Sequence, residues 1–191
     1  MKESPYVSIC IPAYNMKDYL EKAIISILNQ SFQNFEIIIV NDHSNDETLK
    51  VIKKLQLKDG RIKLINHLKN SGVYTSRVDS ILASKGKYLI LMDSDDILIN
   101  PNILTNLFNY NLKYNLDIIE FIVFQKIEGR RKIFFPQKHF ESHFHNFTDT
   151  FIFQPNLSEI LFHIPNNKNY TYSICRNIWN KMIRRKIFLD M

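Results

Sequence analysis

Four short, mostly apolar runs, at 7–11, 35–40, 61–65 and 88–92, each lead into a stretch whose apolar residues recur at helical spacing. No other feature of this chain restricts its fold as much. A continuous apolar run of this length fits a strand covered on both faces. After the first run, Asn15 is placed to cap a helix carrying Leu20, Ile24, Ile27 and Leu28 on one stripe. After the second, Ser44 and Glu47 have capping-box spacing ahead of Leu49, Ile52 and Leu55. Residues 73–84 read as a third helix. Asn100-Pro101 starts a fourth that runs to about 114, with Pro at its first position. Repeated strand–helix units predict an α/β fold with a mainly parallel sheet. Ligands of such sheets bind beyond the carboxyl ends of the strands.

Beyond 118 the alternation fades. Residues 118–124 and 132–135 read as strands, 136–170 has no clear period, and 176–188 reads as an amphipathic helix holding Trp179, the only tryptophan. At 191 residues, with 45% hydrophobic and 23% charged, the composition is that of one globular domain. The presence of only 4 glycines argues against glycine-rich phosphate loops, and no GxGxxG appears, which excludes a dinucleotide-binding Rossmann unit. A nucleotidyltransferase is disfavoured too, because Pro12-Ala13-Tyr14-Asn15 stands where its glycine-rich loop would follow the first strand. Residues 126–191 hold 11 of the 25 basic side chains but only 5 of the 19 acidic ones, so the whole formal charge of +6 falls there. That asymmetry fits a polyanionic partner, an acidic membrane surface or a solvated basic face. The two cysteines are far apart, with Cys10 inside an apolar run, which fits a reducing compartment. No apolar stretch nears the roughly 20 residues that span a bilayer. The expected location is cytoplasmic, at most peripheral at the inner face of the membrane.

Three of the early runs end in polar residues able to meet one ligand: Pro12-Ala13-Tyr14-Asn15, Asn41-Asp42 and Asp93-Ser94-Asp95-Asp96. In an extended segment the side chains of Asp93 and Asp95 point the same way. Two such carboxylates repel unless a cation lies between them, and an oxygen-only set suits Mg²⁺ or Mn²⁺ shared with substrate phosphates. An acidic turn ahead of the helix at Asn100 accounts for the same residues. Asp42 can accept a hydrogen bond from a base or serve as a turn residue. Tyr14 can stack on a base or pack in the core. Arg77 can pair with a diphosphate, hold Asp93, or form a surface ion pair.

The blocks VSICIPAYN (7–15), EIIIVNDHSNDET (36–48), NSGVYTSR (70–77) and GKYLILMDSDD (86–96), taken in order, resemble the family 2 glycosyltransferases of the GT-A fold. NIWNKMIRRKIF (177–188) resembles the stretch before that family's acceptor-side motif. The resemblance implies a Rossmann-like αβα sandwich and an inverting enzyme that takes sugar from a nucleotide-diphospho-sugar, often UDP-linked, and passes it to a glycan or lipid-linked acceptor. Residues 1–115 would form the donor-binding part, and 116–191 an incomplete acceptor-side part of the same domain. Pro12, Tyr14, Asp42, Arg77 and Asp93 match the nucleotide-binding positions. Asp93 and Asp95 match the DXD metal ligands, with Asp95 in direct contact with Mn²⁺ or Mg²⁺, and Asp96 braces the loop. No nucleic-acid partner is implied.

This sequence departs from the pattern at Asn41, where many members have aspartate, and at Val78, where many have asparagine. Inverting transfer needs a base for the acceptor's proton, and the family supplies it in a Glu-Asp pair downstream of the WNK-like segment. The late acids Glu128, Glu141, Asp149, Glu159 and Asp190 include no such pair. The expectation is a fragment that binds donor, with no catalytic base assigned. A nucleotide-binding module without turnover is the alternative. His139, His143, His145 and His163 offer a metal cluster or a half-exposed segment. The stripe Ile178, Trp179, Met182, Ile183 and Ile187, flanked by Arg184, Arg185 and Lys186, offers a core face or a contact with anionic lipid.

Overall fold

The computed structural model describes residues 4–120, 123–127, 130–134 and 181–189. Its main sheet has six strands in the order β3-β2-β1-β4-β8-β5. Strands β1 (Val7–Ala13), β2 (Phe35–Asn41), β3 (Ile62–Asn66) and β4 (Tyr88–Leu91) run parallel. Strand β8 (Lys181–Arg184) is antiparallel to both β4 and β5 (Ile118–Glu120). A separate hairpin joins β6 (Val123–Ile127) to β7 (Arg130–Phe134).

The isoleucine-rich runs form strands because alternate residues enter two different cores. On one face Val7, Ile9 and Ile11 join Ile37, Ile39, Tyr88 and Ile90 beneath α1 (Leu20–Leu28), α2 (Thr48–Lys58) and α4 (Ile103–Tyr114). On the other, Cys10, Leu89 and Leu91 meet Ile81 of α3 (Gly72–Ala83) and Phe188 of α5 (Arg185–Leu189). Helices on both faces make the αβα sandwich. Burial pushes the Cys10 thiol up to about 12, so the thiol stays protonated at neutral pH.

Strand β1 continues through Pro12, beyond the apolar run. Cys10 O accepts from Met92 N at 3.0 Å, whereas Ala13 O accepts from Asp42 N at 2.9 Å. Residues in step with Cys10 therefore address β4 and those in step with Ala13 address β2. Pro12 is in step with Cys10, at a level where β4 has ended. Its missing N–H breaks no ladder bond.

Several sequence expectations are corrected. Helix α1 begins at Leu20, and Asn15 does not cap it but takes a left-handed φ of 56° in the preceding loop. The Ser44–Glu47 capping box does not form, because Ser44 Oγ accepts from Asn15 N at 3.0 Å instead. Pro101 lies in the turn before α4, which starts at Ile103. The strand expected over 118–124 is divided between two sheets. Where an amphipathic helix was expected at 176–188, among the described residues Lys181–Arg184 is a strand and Arg185–Leu189 is helical. Met182 and Ile183 are both buried, at 0% and 1% exposure. Consecutive buried residues suit a strand inserted between β4 and β5, which pairs on both edges and overrides the helical spacing. Trp179 lies outside the described residues. Among the described residues no helix is long and apolar enough to cross a membrane.

Gly86 sits where the chain enters β4. A Cβ there would lie 2.6 Å from Ser8 N and Oγ and 2.8 Å from Val7 C. Ser8 cannot withdraw easily, since its Oγ also donates to the buried Glu36. Gly86→Ala is expected to lower the unfolding free energy by about 1–3 kcal/mol. Gly60→Ala, with nothing within 4 Å of its Cβ, should stay within about 0.5 kcal/mol of the parent. Urea denaturation of both variants checks the difference.

Candidate functional site

Register places the candidate residues side by side. Ala13 pairs with Asn41 and Asn41 with Asn66, so the chain leaves β1, β2 and β3 at one level. The next residues are Tyr14, Asp42 and His67. The β1–α1 and β2–α2 loops are stitched together: Asn45 N donates to Asn15 Oδ1 at 2.8 Å, Met16 N to Thr48 Oγ1 at 2.7 Å, and Lys17 N to Asp46 Oδ2 at 3.2 Å. Short polar side chains accepting from loop N–H groups are what such turns require. They leave Tyr14 at the edge with 43% of its surface exposed, available for stacking. Pro12 is buried in β1 behind it.

Asp42 is 3% exposed. Its Oδ1 accepts from Ser71 N and lies 2.8 Å from each of Ser71 N and His67 Nδ1, and its Oδ2 accepts from Gly72 N at 2.8 Å. Burial raises the pKa of this carboxyl. The His67 bond and the two N–H groups outweigh burial and hold it below the ordinary 3.8. His67 also places Nε2 2.9 Å from Asp79 Oδ2 on α3. With a carboxylate at each ring nitrogen, the imidazole bridges Asp42 and Asp79. Asp42 thus ties the start of α3 to the end of β2, and His67 adds a second tie at Asp79, about two turns further along.

Helix α3 carries Arg77, whose Nη2 donates to Asp93 Oδ1 at 2.6 Å. Arg77 Nε is buried with no partner. Asp93 follows β4 directly. The segment after it is a turn rather than extended, closed by Asp96 N donating to Asp93 O at 3.2 Å. Asp95 is exposed on that turn. Burial, together with the charges of Asp93 and Asp95, pushes the Asp96 carboxyl up to about 6. Three carboxylates within one turn, with the Arg77 guanidinium donating to Asp93 alone among them, make a site that a divalent ion would relieve. Among the described residues no three His, Cys, Asp or Glu side chains form a complete cage. Two carboxylates plus substrate oxygens suit Mg²⁺ or Mn²⁺ in such a setting.

The structure therefore joins Arg77 directly to Asp93, and joins Asp42 to the same helix through its backbone. Tyr14 and Pro12 share the edge with Asp42. His67, Asp79, Ser71 and Gly72 were not among the residues singled out from the sequence. The same strand-end reasoning, applied to the third run, points to Asn66-His67. Glu128, Glu141, Asp149, Glu159 and Asp190 lie outside the described residues, as do His139, His143, His145 and His163.

A family model described as glycosyl transferase family 2 matches residues 8–188. The uncharacterized glycosyltransferase EpsJ of Bacillus subtilis is 28% identical over 184 residues, covering 96% of this chain and 49% of its own. The poly(ribitol-phosphate) beta-N-acetylglucosaminyltransferase TarP of Staphylococcus aureus is 39% identical over 118 residues, covering 59% and 35%. The chain thus spans about half the length, or less, of the curated relatives it matches. The crystal structure of S. aureus TarS residues 1–349 with UDP superposes with a TM-score of 0.69 at 23% identity, over 96% of this chain and 48% of that one. The shared fold is that of the GT-A glycosyltransferases.

The Asp42 geometry carries its own test. Asp42→Ala leaves two N–H groups and one imidazole without their acceptor, and a buried unpaired donor costs about 1–3 kcal/mol. A loss of about 3 kcal/mol in urea denaturation at neutral pH is expected. Because the folded-state pKa is lowered, the Asp42 contribution is complete above the ordinary aspartate range. It is lost as pH falls through the lowered value. The gap between parent and variant should therefore narrow in acid. A gap that is constant down to strongly acidic pH would refute the assignment.

Proposed function

Because this chain belongs to glycosyl transferase family 2, we propose that it forms the donor side of an inverting glycosyltransferase that passes sugar from a UDP-linked donor to a glycan or lipid-linked acceptor. The observation that carries the reading is the end of β4, where Arg77 holds Asp93 beside the exposed Asp95. In this reading Tyr14 stacks on the base, with Pro12 forming the wall behind it. Asp42 fixes the rim, and its Oδ2, which accepts from Gly72 N, keeps room to accept the ring N–H of uracil. Arg77 orients Asp93 and offers its unpaired Nε to a phosphate oxygen. A Mn²⁺ or Mg²⁺ held by Asp93 and Asp95 would offset the charge on the departing diphosphate. Asp96 braces the turn through its N–H on Asp93 O. The N-acetylglucosaminyl transfer named for TarP and the UDP bound to TarS, a protein of the same fold, support a UDP donor and a glycan acceptor. No residue is assigned as the base for the acceptor hydroxyl.

Donor binding is tested separately from transfer. Calorimetric titration of UDP into the chain is expected to give tighter binding with Mn²⁺ than with chelator. Asp95→Ala should abolish that difference and Asp96→Ala should reduce it less. Equal affinity in both conditions would remove the metal from the reading. Asp42→Ala should weaken UDP by roughly 10- to 150-fold, the equivalent of a lost hydrogen bond to a charged group. CDP, which lacks the N–H, should change less. Parallel losses for UDP and CDP would make Asp42 purely structural.

A further inference from the structure

At the opposite edge of the sheet lies a cleft of about 590 Å³ lined by residues before β1, the α3–β4 loop and the end of β8. Its lining includes Lys85, Lys87, Arg184, Arg185 and Lys186, and no acidic side chain. From Tyr6 at this edge to Tyr14 at the other is eight strand residues, or roughly 26 Å. A ligand here does not touch the candidate donor site.

Of these five cations, Arg184 is neutralised by Asp117. Lys85, Lys87, Arg185 and Lys186 have no carboxylate within ion-pair distance among the described residues. The nearest buried acid in the network, Glu36, is taken up by Lys63 and Ser8 beneath the loop and does not line the cleft. Like charges in one concavity repel one another and focus a positive field outward. The frame that holds them is rigid. Lys85 N donates to Glu36 Oε1 at 2.6 Å, Gly86 N to Ser8 Oγ at 2.8 Å, Tyr88 N to Tyr6 O at 3.0 Å and Arg185 N to Lys87 O at 3.0 Å. Arg185 Nε is anchored on Ser84 Oγ at 2.9 Å. The Lys87 ammonium lies 5.8 Å from the ring centroids of both Tyr6 and Tyr88, which restricts where it can go. The Arg185 side chain, held before a ligand arrives, loses little freedom on binding it.

We propose that this cleft binds a segment of an anionic polymer, a chain of phosphate or carboxylate groups such as an acidic glycan strand. The cleft is large enough for several charged units. The remaining face of the Arg185 guanidinium suits an oxyanion, and the lysines add point charges. The site stands whether or not the chain catalyses transfer.

The test is a titration of the whole chain, in chelator and saturating UDP, with short-chain inorganic polyphosphate and separately with oligogalacturonate. At least one is expected to bind, more weakly as salt rises, and the probe that binds identifies the charged group. The double reversal Lys85→Glu with Lys186→Glu changes two exposed side chains. It should weaken that binding about tenfold or more, with UDP–Mn²⁺ affinity and the melting temperature held within error. If the reversal lowers the melting temperature, Lys85→Gln with Lys186→Gln is the comparison, and a smaller loss in the same direction is expected. Neither probe binding, binding unchanged in both variants, or capture only by phosphatidylglycerol vesicles would each overturn the proposal.

Discussion

Everything in this molecule depends on pairing β1 with β2 in parallel over seven residues, from Val7↔Phe35 to Ala13↔Asn41. A parallel sheet cannot leave a face to water, because its crossovers place helices on both sides. The two strands therefore need apolar residues at almost every position, and they have them. The exceptions are informative. Ser8 and Glu36 are neighbours in register and satisfy each other at the amino edge. Asn41 is the last residue of β2 and turns to Asn66 across β3 at 2.7 Å. Polar side chains are confined to the two ends of the pairing, and the chemistry of the molecule is found at those ends.

The two ends differ in sign. At the carboxyl edge the protein concentrates acid: Asp42, Asp46, Asp93, Asp95 and Asp96 all follow strands, and much of their charge is met by N–H groups and His67. At the amino edge it concentrates base, and the one buried acid there among the described residues, Glu36, is used to anchor the Lys85 backbone. Burial raises the Glu36 pKa, but bonds from Lys63, Ser8 and Lys85 N bring it below its ordinary value. It therefore stays ionised as an anchor. Separation along the strands, at roughly 3.3 Å per residue, keeps the two fields from cancelling.

Much of this was legible in the sequence because it followed from period and position. Runs such as 35–40 could only be strands buried on both faces, and the rule that ligands sit beyond strand ends led to Tyr14, Asp42, Asp93 and Asp95. What stayed hidden was long-range. Asn15 and Ser44 carry strong local signals for helix caps, yet each is drawn into the other's loop, which no local spacing encodes. Residues 181–184 have helical spacing in isolation but complete the hydrogen bonds of two strands more than sixty residues distant along the chain. The strand-end rule reaches His67 as well, but the residue type alone does not say what it does there. Its two carboxylate partners, Asp42 after β2 and Asp79 on α3, give it a role.

Arg77 shows how the pieces combine. Its Nη2 is spent on Asp93, while its Nε is enclosed and unpaired. An enclosed donor without a partner costs about 1–3 kcal/mol, and the fold sustains that cost because α3 is held at its start by Asp42 and again at Asp79 through His67. Without those ties, the helix could shift to give Nε a partner. With them, the guanidinium keeps its Nε enclosed beside the exposed Asp95. On the proposed reading, a metal-bound diphosphate would bring an oxygen to Nε, and the metal would lie between the carboxylates. Variants at His67, remote from the phosphates, should then weaken donor binding through the placement of Arg77, not through any contact of their own.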